Sequence, residues 1–181
     1  MFATAWFATH MRVNTPLGRL PWWAVVAGNA AFWPAWTAAV GYSAHRAPAD
    51  WFAADDFLTR GRPAEHDGAW YRDRLRIERW KDHMPEAGAA FPGGFAKRGV
   101  GVRDPETLRA FTVETRRAEY AHWAMAAGVV ITIAWNPWWA APVNVSVAAG
   151  SNLPCIAIQR YNRARLLRIL RRSTSERDAV R

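Results

Sequence analysis

The chain is 181 residues long, about one domain, with a formal charge of +9, twelve tryptophans and one cysteine. The lone Cys155 excludes an intramolecular disulfide, and a positive charge confined to particular segments points to membrane topology rather than to a nucleic-acid partner. The charged residues avoid two blocks altogether: none falls between Leu20 and His45, and none between Tyr120 and Gln159. A charge at the bilayer centre costs several kcal/mol, so this segregation is what a membrane imposes. A tryptophan-rich soluble core is the competing reading, but soluble hairpins rarely run so long without a charge.

The first block predicts a span over about 20–44, long enough to cross ~30 Å of hydrocarbon at about 1.5 Å per residue. Pro34 removes a backbone hydrogen bond within it and predicts a kink. A cleaved signal peptide fits less well, because the apolar stretch is long and starts late. Trp22, Trp23, Trp33 and Trp36 suit the headgroup boundary, where an indole ring is half solvated.

Residues 45–117 read as a loop of mixed charge, hence a folded surface rather than a basic tether. Within it, Glu65-His66-Asp67-Gly68 and Trp80-Lys81-Asp82-His83 contain possible metal ligands, but their spacing matches no metal motif and no metal is expected. The glycines of 93–101 lack the Gly-Lys-Ser/Thr ending of a phosphate loop and read as turns. Asp104-Pro105-Glu106 reads as a helix start, with Asp as N-cap and Pro in the first turn. From there Leu108, Phe111, Thr115, Ala118 and His122 share one face, and the helix should run into a second span at about 118–135.

Asn136-Pro137 supplies a turn, and a third span follows at about 140–159, rich in small and polar residues that suit close helix packing. The tail, 160–181, is basic. Two of the 24 Lys and Arg precede residue 20, fourteen lie in 46–117, eight lie beyond 159, and the Asn136-Pro137 turn has none. The expected architecture is therefore an all-α, multi-pass protein of about three transmembrane helices in the plasma membrane. By the positive-inside rule its amino terminus is outside, with the loop and tail cytoplasmic.

Two clusters have chemical promise. On a helix Glu119 and His122 share a face, and a carboxylate beside an imidazole is the arrangement of a general base. An interfacial helix with snorkelling charges would give the same spacing. Gln159-Arg160-Tyr161-Asn162-Arg163 offers donors and acceptors for sugar hydroxyls or phosphate, although arginines after a span also serve as plain anchors. No Gly-x-Ser-x-Gly elbow is present, and Cys155 lies in an apolar segment where packing is its expected role.

The stretch Glu114-Thr-Arg-Arg-Ala-Glu119-Tyr-Ala-His122-Trp, with Asn152-Leu-Pro and Gln159-Arg-Tyr-Asn-Arg163, resembles the glycosyl-diaponeurosporenoate acyltransferase family of bacteria. Trp80-Lys81 and the Arg46-x-Pro48 segment are similar to that family too; Ala164 departs from the proline expected there, and the glycine-rich stretch at 93–101 also differs. The resemblance implies transfer of a fatty acyl group to a sugar hydroxyl of a glycosylated carotenoid or related glycolipid. It implies acyl-CoA as co-substrate, no bound cofactor, and contact with membrane lipid. His122 would deprotonate the acceptor hydroxyl with Glu119 orienting it. Gln159, Arg160, Asn162 and Arg163 would bind sugar or donor phosphates, with Trp80 and Lys81 alongside, and Glu114 and Arg117 would pair at i,i+3. The alternative is a non-catalytic membrane subunit that binds lipid and a partner enzyme through its basic loop and tail.

Overall fold

The computed structural model describes residues 11–84 and 105–179 and divides into two compact units. Three long helices, α1 (Trp22–Arg46), α3 (Pro105–Thr132) and α4 (Ala141–Ala179), account for most of it; α2 is a short helix, Ala69–Asp73, between 3-10 turns. The all-α expectation needs one correction. Strands β1 (Arg12–Thr15) and β2 (Gly18–Pro21) form an antiparallel hairpin ahead of α1. Its register pairs Arg12 with Pro21 and Thr15 with Gly18, and Gly18 takes a φ of +109°, which a side chain would resist. Leu20 and Pro21, read as the start of the first span, belong to this hairpin.

The first unit comprises 1–42 and 123–152. It exposes many large apolar side chains while burying polar ones beside Val25 and Ala148. Trp138 is 85% exposed, and Trp23, Val26, Val130, Ile133, Val143, Val145 and Val147 are exposed too, whereas Thr132 and Asn136 are buried. The buried polar groups are satisfied. Asn29 and Asn136 exchange amide hydrogen bonds, with Asn29 Nδ2 donating at 2.8 Å and Asn136 Nδ2 at 3.0 Å, and Trp135 Nε1 is a second donor to Asn29 Oδ1 at 3.3 Å. Such internal pairing is required where no water is present to serve as partner.

The same residues end α3. The Asn136 backbone N–H and its Nδ2 both donate to the Thr132 carbonyl, at 3.1 and 2.8 Å, and Pro137 has no N–H with which to continue a helix. The helix therefore stops at Thr132, a little before the expected boundary at 135. By contrast α4 does not stop at 159: it carries the basic segment onward as helix to Ala179. The helical stretch Trp138–Ser173 contains an apolar segment long enough to cross a membrane. The expected N-cap Asp104 and the glycines at 93–101 lie outside the described residues.

Trp36 packs between helices on a glycine. Its Nε1 donates to the Ala124 and Met125 carbonyls, at 3.2 and 3.3 Å, and a Cβ added at Gly128 would lie 2.4 Å from that nitrogen. Gly128→Leu should therefore expel the indole, and a clash of this kind costs about 1–3 kcal/mol. A lower thermal unfolding midpoint in detergent, with restored tryptophan solvent exposure, is the expected reading; an unchanged midpoint would contradict this packing.

Candidate active site

The second unit comprises 43–122 and 153–181. Its apolar centre is Tyr71, Ile77, Ala157, Ile158 and Tyr161, with Trp80 and Met84 against it. Helix α3 buries Leu108, Phe111, Thr112, Thr115, Arg116 and Glu119, a stripe at spacings of three and four. The expected face ran through Ala118 and His122; both are half-buried, and the stripe turns instead through Glu119. Thr112 and Thr115 return their hydroxyls to carbonyls of their own helix, at 2.9 and 2.7 Å, so the stripe is polar without being unsatisfied.

Glu119 has no solvent exposure. Its Oε1 accepts from Arg160 Nε at 2.7 Å and its Oε2 from Arg163 Nη2 at 2.5 Å. Arg160 reaches further, donating Nη1 to Glu65 Oε1 at 2.5 Å and Nη2 to the Leu58 carbonyl. Arg163 Nη2 also donates to the Thr59 carbonyl at 2.6 Å, while its buried Nη1 has no partner among the described residues. Two carboxylates thus face two guanidinium groups. Buried charges persist only when paired and hydrogen-bonded in this way.

The two carbonyls are aimed by a turn. Asp56 Oδ1 accepts from the backbone N–H groups of Leu58 and Thr59, both at 2.9 Å, and from Thr59 Oγ1 at 3.0 Å. Burial alone would raise the Asp56 carboxyl, but these hydrogen bonds outweigh it and hold the group below the usual aspartate range. Tyr71 stands beside Glu65. Burial and the adjacent carboxylate push its phenol up to about 12, so it stays protonated.

The remaining expected residues fall into place around this network. Glu114 and Arg117 approach at i,i+3, with Oε1 3.2 Å from Nε, close enough for an ion pair although Nε lacks hydrogen-bond geometry. Arg117 Nη1 donates to the carbonyls of Ala44 (2.8 Å), His45 (3.2 Å) and Ala47 (2.7 Å), so it caps the end of α1 with a cation, and its guanidinium lies over the Phe52 ring. Gln159 is buried and Asn162 half-buried on α4. Trp80 Nε1 donates to the Leu75 carbonyl at 2.9 Å, and Lys81 Nζ meets Asp82 at 2.5 Å. His122 lies one turn beyond Glu119 on α3, half-buried.

Several participants had no local signal. Glu65 stood out in the sequence only as a possible metal ligand, and Arg116, buried against Asp55 at 2.6 Å, only as one residue of the stretch 114–123. The Asp56-x-x-Thr59 turn could have been read from its residue types. Among the described residues, no three of His, Cys, Asp or Glu cluster closely enough to hold a metal.

A cavity of about 420 Å³ adjoins the network, its wall including Asp55, Arg62, Glu65, Asp67, Arg160 and Arg163. The floor of the loop is held in an unusual backbone: His66 and Asp67 have φ of 45° and 53°, and Gly68 follows at 91°. Gly68 is needed there twice over, since a Cβ would also lie 3.0 Å from that of Ala164. Arg168 Nη2, at 2.5 Å from the Asp67 carbonyl, ties the strained turn to α4.

The chain is thus mostly helical, with one helix long and apolar enough to cross a membrane and a buried carboxylate–guanidinium network beside a polar cavity. Comparison with known proteins makes this specific. A match to the glycosyl-4,4'-diaponeurosporenoate acyltransferase family covers residues 48–172, and the chain belongs to that family. It is similar to the glycosyl-4,4'-diaponeurosporenoate acyltransferase of Staphylococcus haemolyticus (strain JCSC1435), 31% identical over 76% of this chain and 80% of the relative. The protein of that name from Staphylococcus aureus (strain Newman) is 26% identical over 74% of this chain and 82% of its own. No solved structure matches.

Glu119→Gln keeps the shape of the side chain and removes the charge that two buried guanidinium groups share. Breaking a buried pair in this way costs about 3–5 kcal/mol, so the melting temperature and the yield of folded protein should both fall steeply. Wild-type stability in this variant would show that Arg160 and Arg163 do not depend on Glu119.

Proposed function

We propose that the chain transfers a fatty acyl group from an acyl-CoA thioester to a sugar hydroxyl of a glycosylated carotenoid, forming an ester. The observation that carries this reading is the family match over 48–172, a segment that contains Glu65, Glu119, Arg160, Arg163 and the whole cavity wall. In the reaction the hydroxyl oxygen attacks the thioester carbonyl, the C–S bond breaks, and the hydroxyl proton ends on the departing thiol. His122 takes that proton as general base; Glu119, one turn away, fixes the helix face on which the imidazole stands. Arg160 and Arg163 spend most of their donors on the network, so their part in binding is to shape the cavity wall and supply its positive charge. Asn162 and Gln159, on the same stretch of α4, add polar groups for the sugar or the donor.

His122→Ala tests this assignment. With the full chain in membranes, an acyl-CoA and a glycosylated carotenoid, ester formed per inserted protein should fall about 10²–10⁴-fold, the usual worth of a positioned base. A structural histidine gives the other outcome, less protein with each molecule as active as before, and would remove His122 from the chemistry.

The reading places three spans in the membrane, with 45–117 and the segment after 159 in the cytoplasm, where the acyl donor is found. The Lys and Arg distribution supports this orientation, and the outward apolar and inward polar residues of the first unit support lipid around it. A reporter fused after Arg181 should be active in the cytoplasm and one inserted at Pro137 outside; the reverse pattern would sink the topology.

A further inference from the structure

We propose that the cavity walled by residues 55–68 and by α4 is the subsite for the sugar of the acceptor, and that the phosphates of the acyl donor bind elsewhere. This rests on the acyl-transfer reading and adds to it which co-substrate fills this space.

The mixture of charges in the lining decides between the two. Arg62, Arg160 and Arg163 share it with Asp55, Glu65 and Asp67, of which Asp55 and Asp67 also pair with Arg116 and Arg171 outside the wall. Coenzyme A carries several phosphate charges, and a site for them needs an excess of cations without acids facing the ligand. A sugar has no charge and offers hydroxyls that each donate and accept. It is matched by carboxylates and guanidinium groups interleaved, as they are here. The ion pairs leave capacity for this. Asp55 Oδ1 is taken by Arg116 and Glu65 Oε1 by Arg160, while Asp67 Oδ1 lies 3.4 Å from Arg171. Each carboxylate has about four lone-pair sites, so sugar hydroxyls can join without displacing the pairs. His66, also in the wall, can donate or accept.

Size and rigidity agree with charge. About 420 Å³ lies in the ordinary range for small-molecule sites, roughly 300–1,000 Å³, and holds one hexose with ordered water. Leu167 and Ala164 add an apolar patch for the C–H face of a sugar ring. The left-handed run His66-Asp67-Gly68 is held against α4 by Gly68 on Ala164 and by Arg168 on the Asp67 carbonyl, so the acceptors are fixed before a ligand arrives.

Gly61 gives the test. It lies in the cavity wall, a Cβ there would meet no atom within 4 Å, and its backbone is not left-handed, so a side chain can start there without strain and Gly61→Trp adds bulk at the wall. Asp67→Asn is a second, gentler variant, since asparagine tolerates the same backbone while losing the charge. Both would be measured in the full chain in lipid nanodiscs, by kinetics with a glycosylated carotenoid and an acyl-CoA, and by saturation-transfer NMR with methyl glucoside and with coenzyme A as probes. Gly61→Trp should raise KM for the acceptor at least about tenfold, with KM for the donor and kcat nearly unchanged, and should abolish the methyl glucoside signal alone. Asp67→Asn should shift acceptor KM in the same direction by a smaller factor. A rise in donor KM, or loss of coenzyme A binding, would overturn the proposal by giving the cavity to the donor; no change in either would empty it of substrate. If the wild type binds methyl glucoside, and Gly61→Trp blocks it, yet no ester forms with any acyl-CoA, the transferase reading fails and the sugar subsite stands.

Discussion

A carboxylate with no access to water must find its counter-charge within the protein, and Glu119 finds it in two guanidinium groups of another helix. The remainder of the second unit follows from that requirement. Arg160 and Arg163 lie three apart on α4, so both present to one side, and each has donors left after meeting Glu119. Those donors take up Glu65 and the carbonyls of Leu58 and Thr59, which fixes the loop. The Asp56 turn presents the carbonyls, and Gly68 lets the loop approach the helix. The polar cavity is bounded by these same groups, so its shape is a by-product of charge neutralisation.

The two units solve the burial of polar groups by different means. In the first, neutral amides and indoles satisfy one another: Asn29 with Asn136, Trp135 with Asn29, Trp36 with two carbonyls. In the second, full charges do so. Neutral pairs suit a unit with large apolar residues on its outside, because an imperfect neutral bond costs less than a stranded ion. Charged networks need a protein wall around them, and the short turns of 49–83 supply one, with Tyr71, Ile77 and Trp80 packed over α4.

What was legible in the sequence follows the range of the interactions. The helical turn at Asn136-Pro137, the Glu114–Arg117 approach and the promise of Glu119, Arg160 and Arg163 rest on neighbours within a few residues, and all were visible. The partnership of Glu119 with the two arginines was not, since it spans 41 and 44 residues. Spacing on α3 displayed the i,i+3 relation of Glu119 to His122, whereas the contacts of Glu119 with another helix are a relation that a sequence does not display. Glu65, 95 residues from Arg160, looked like a surface acid for the same reason. The β1–β2 hairpin was hidden by the apolar block that begins within it. Continuation of α4 beyond 159 was hidden by a change of composition that left the backbone unaltered.

The separation of these charges along the chain has a consequence for synthesis. Glu65 and Glu119 are made first, and both arginines that neutralise them arrive only with the last helix. Until then the two acids have no way to be buried at an acceptable cost, so the loop and α3 must remain hydrated while the ribosome finishes. Because loop closure over such distances is slow, assembly of the polar site is set to be a late step, completed after translation reaches α4. A chain stalled before Arg160 would leave Glu65 and Glu119 in water, which makes the arrival of two arginines the checkpoint between an unfinished polypeptide and a folded one.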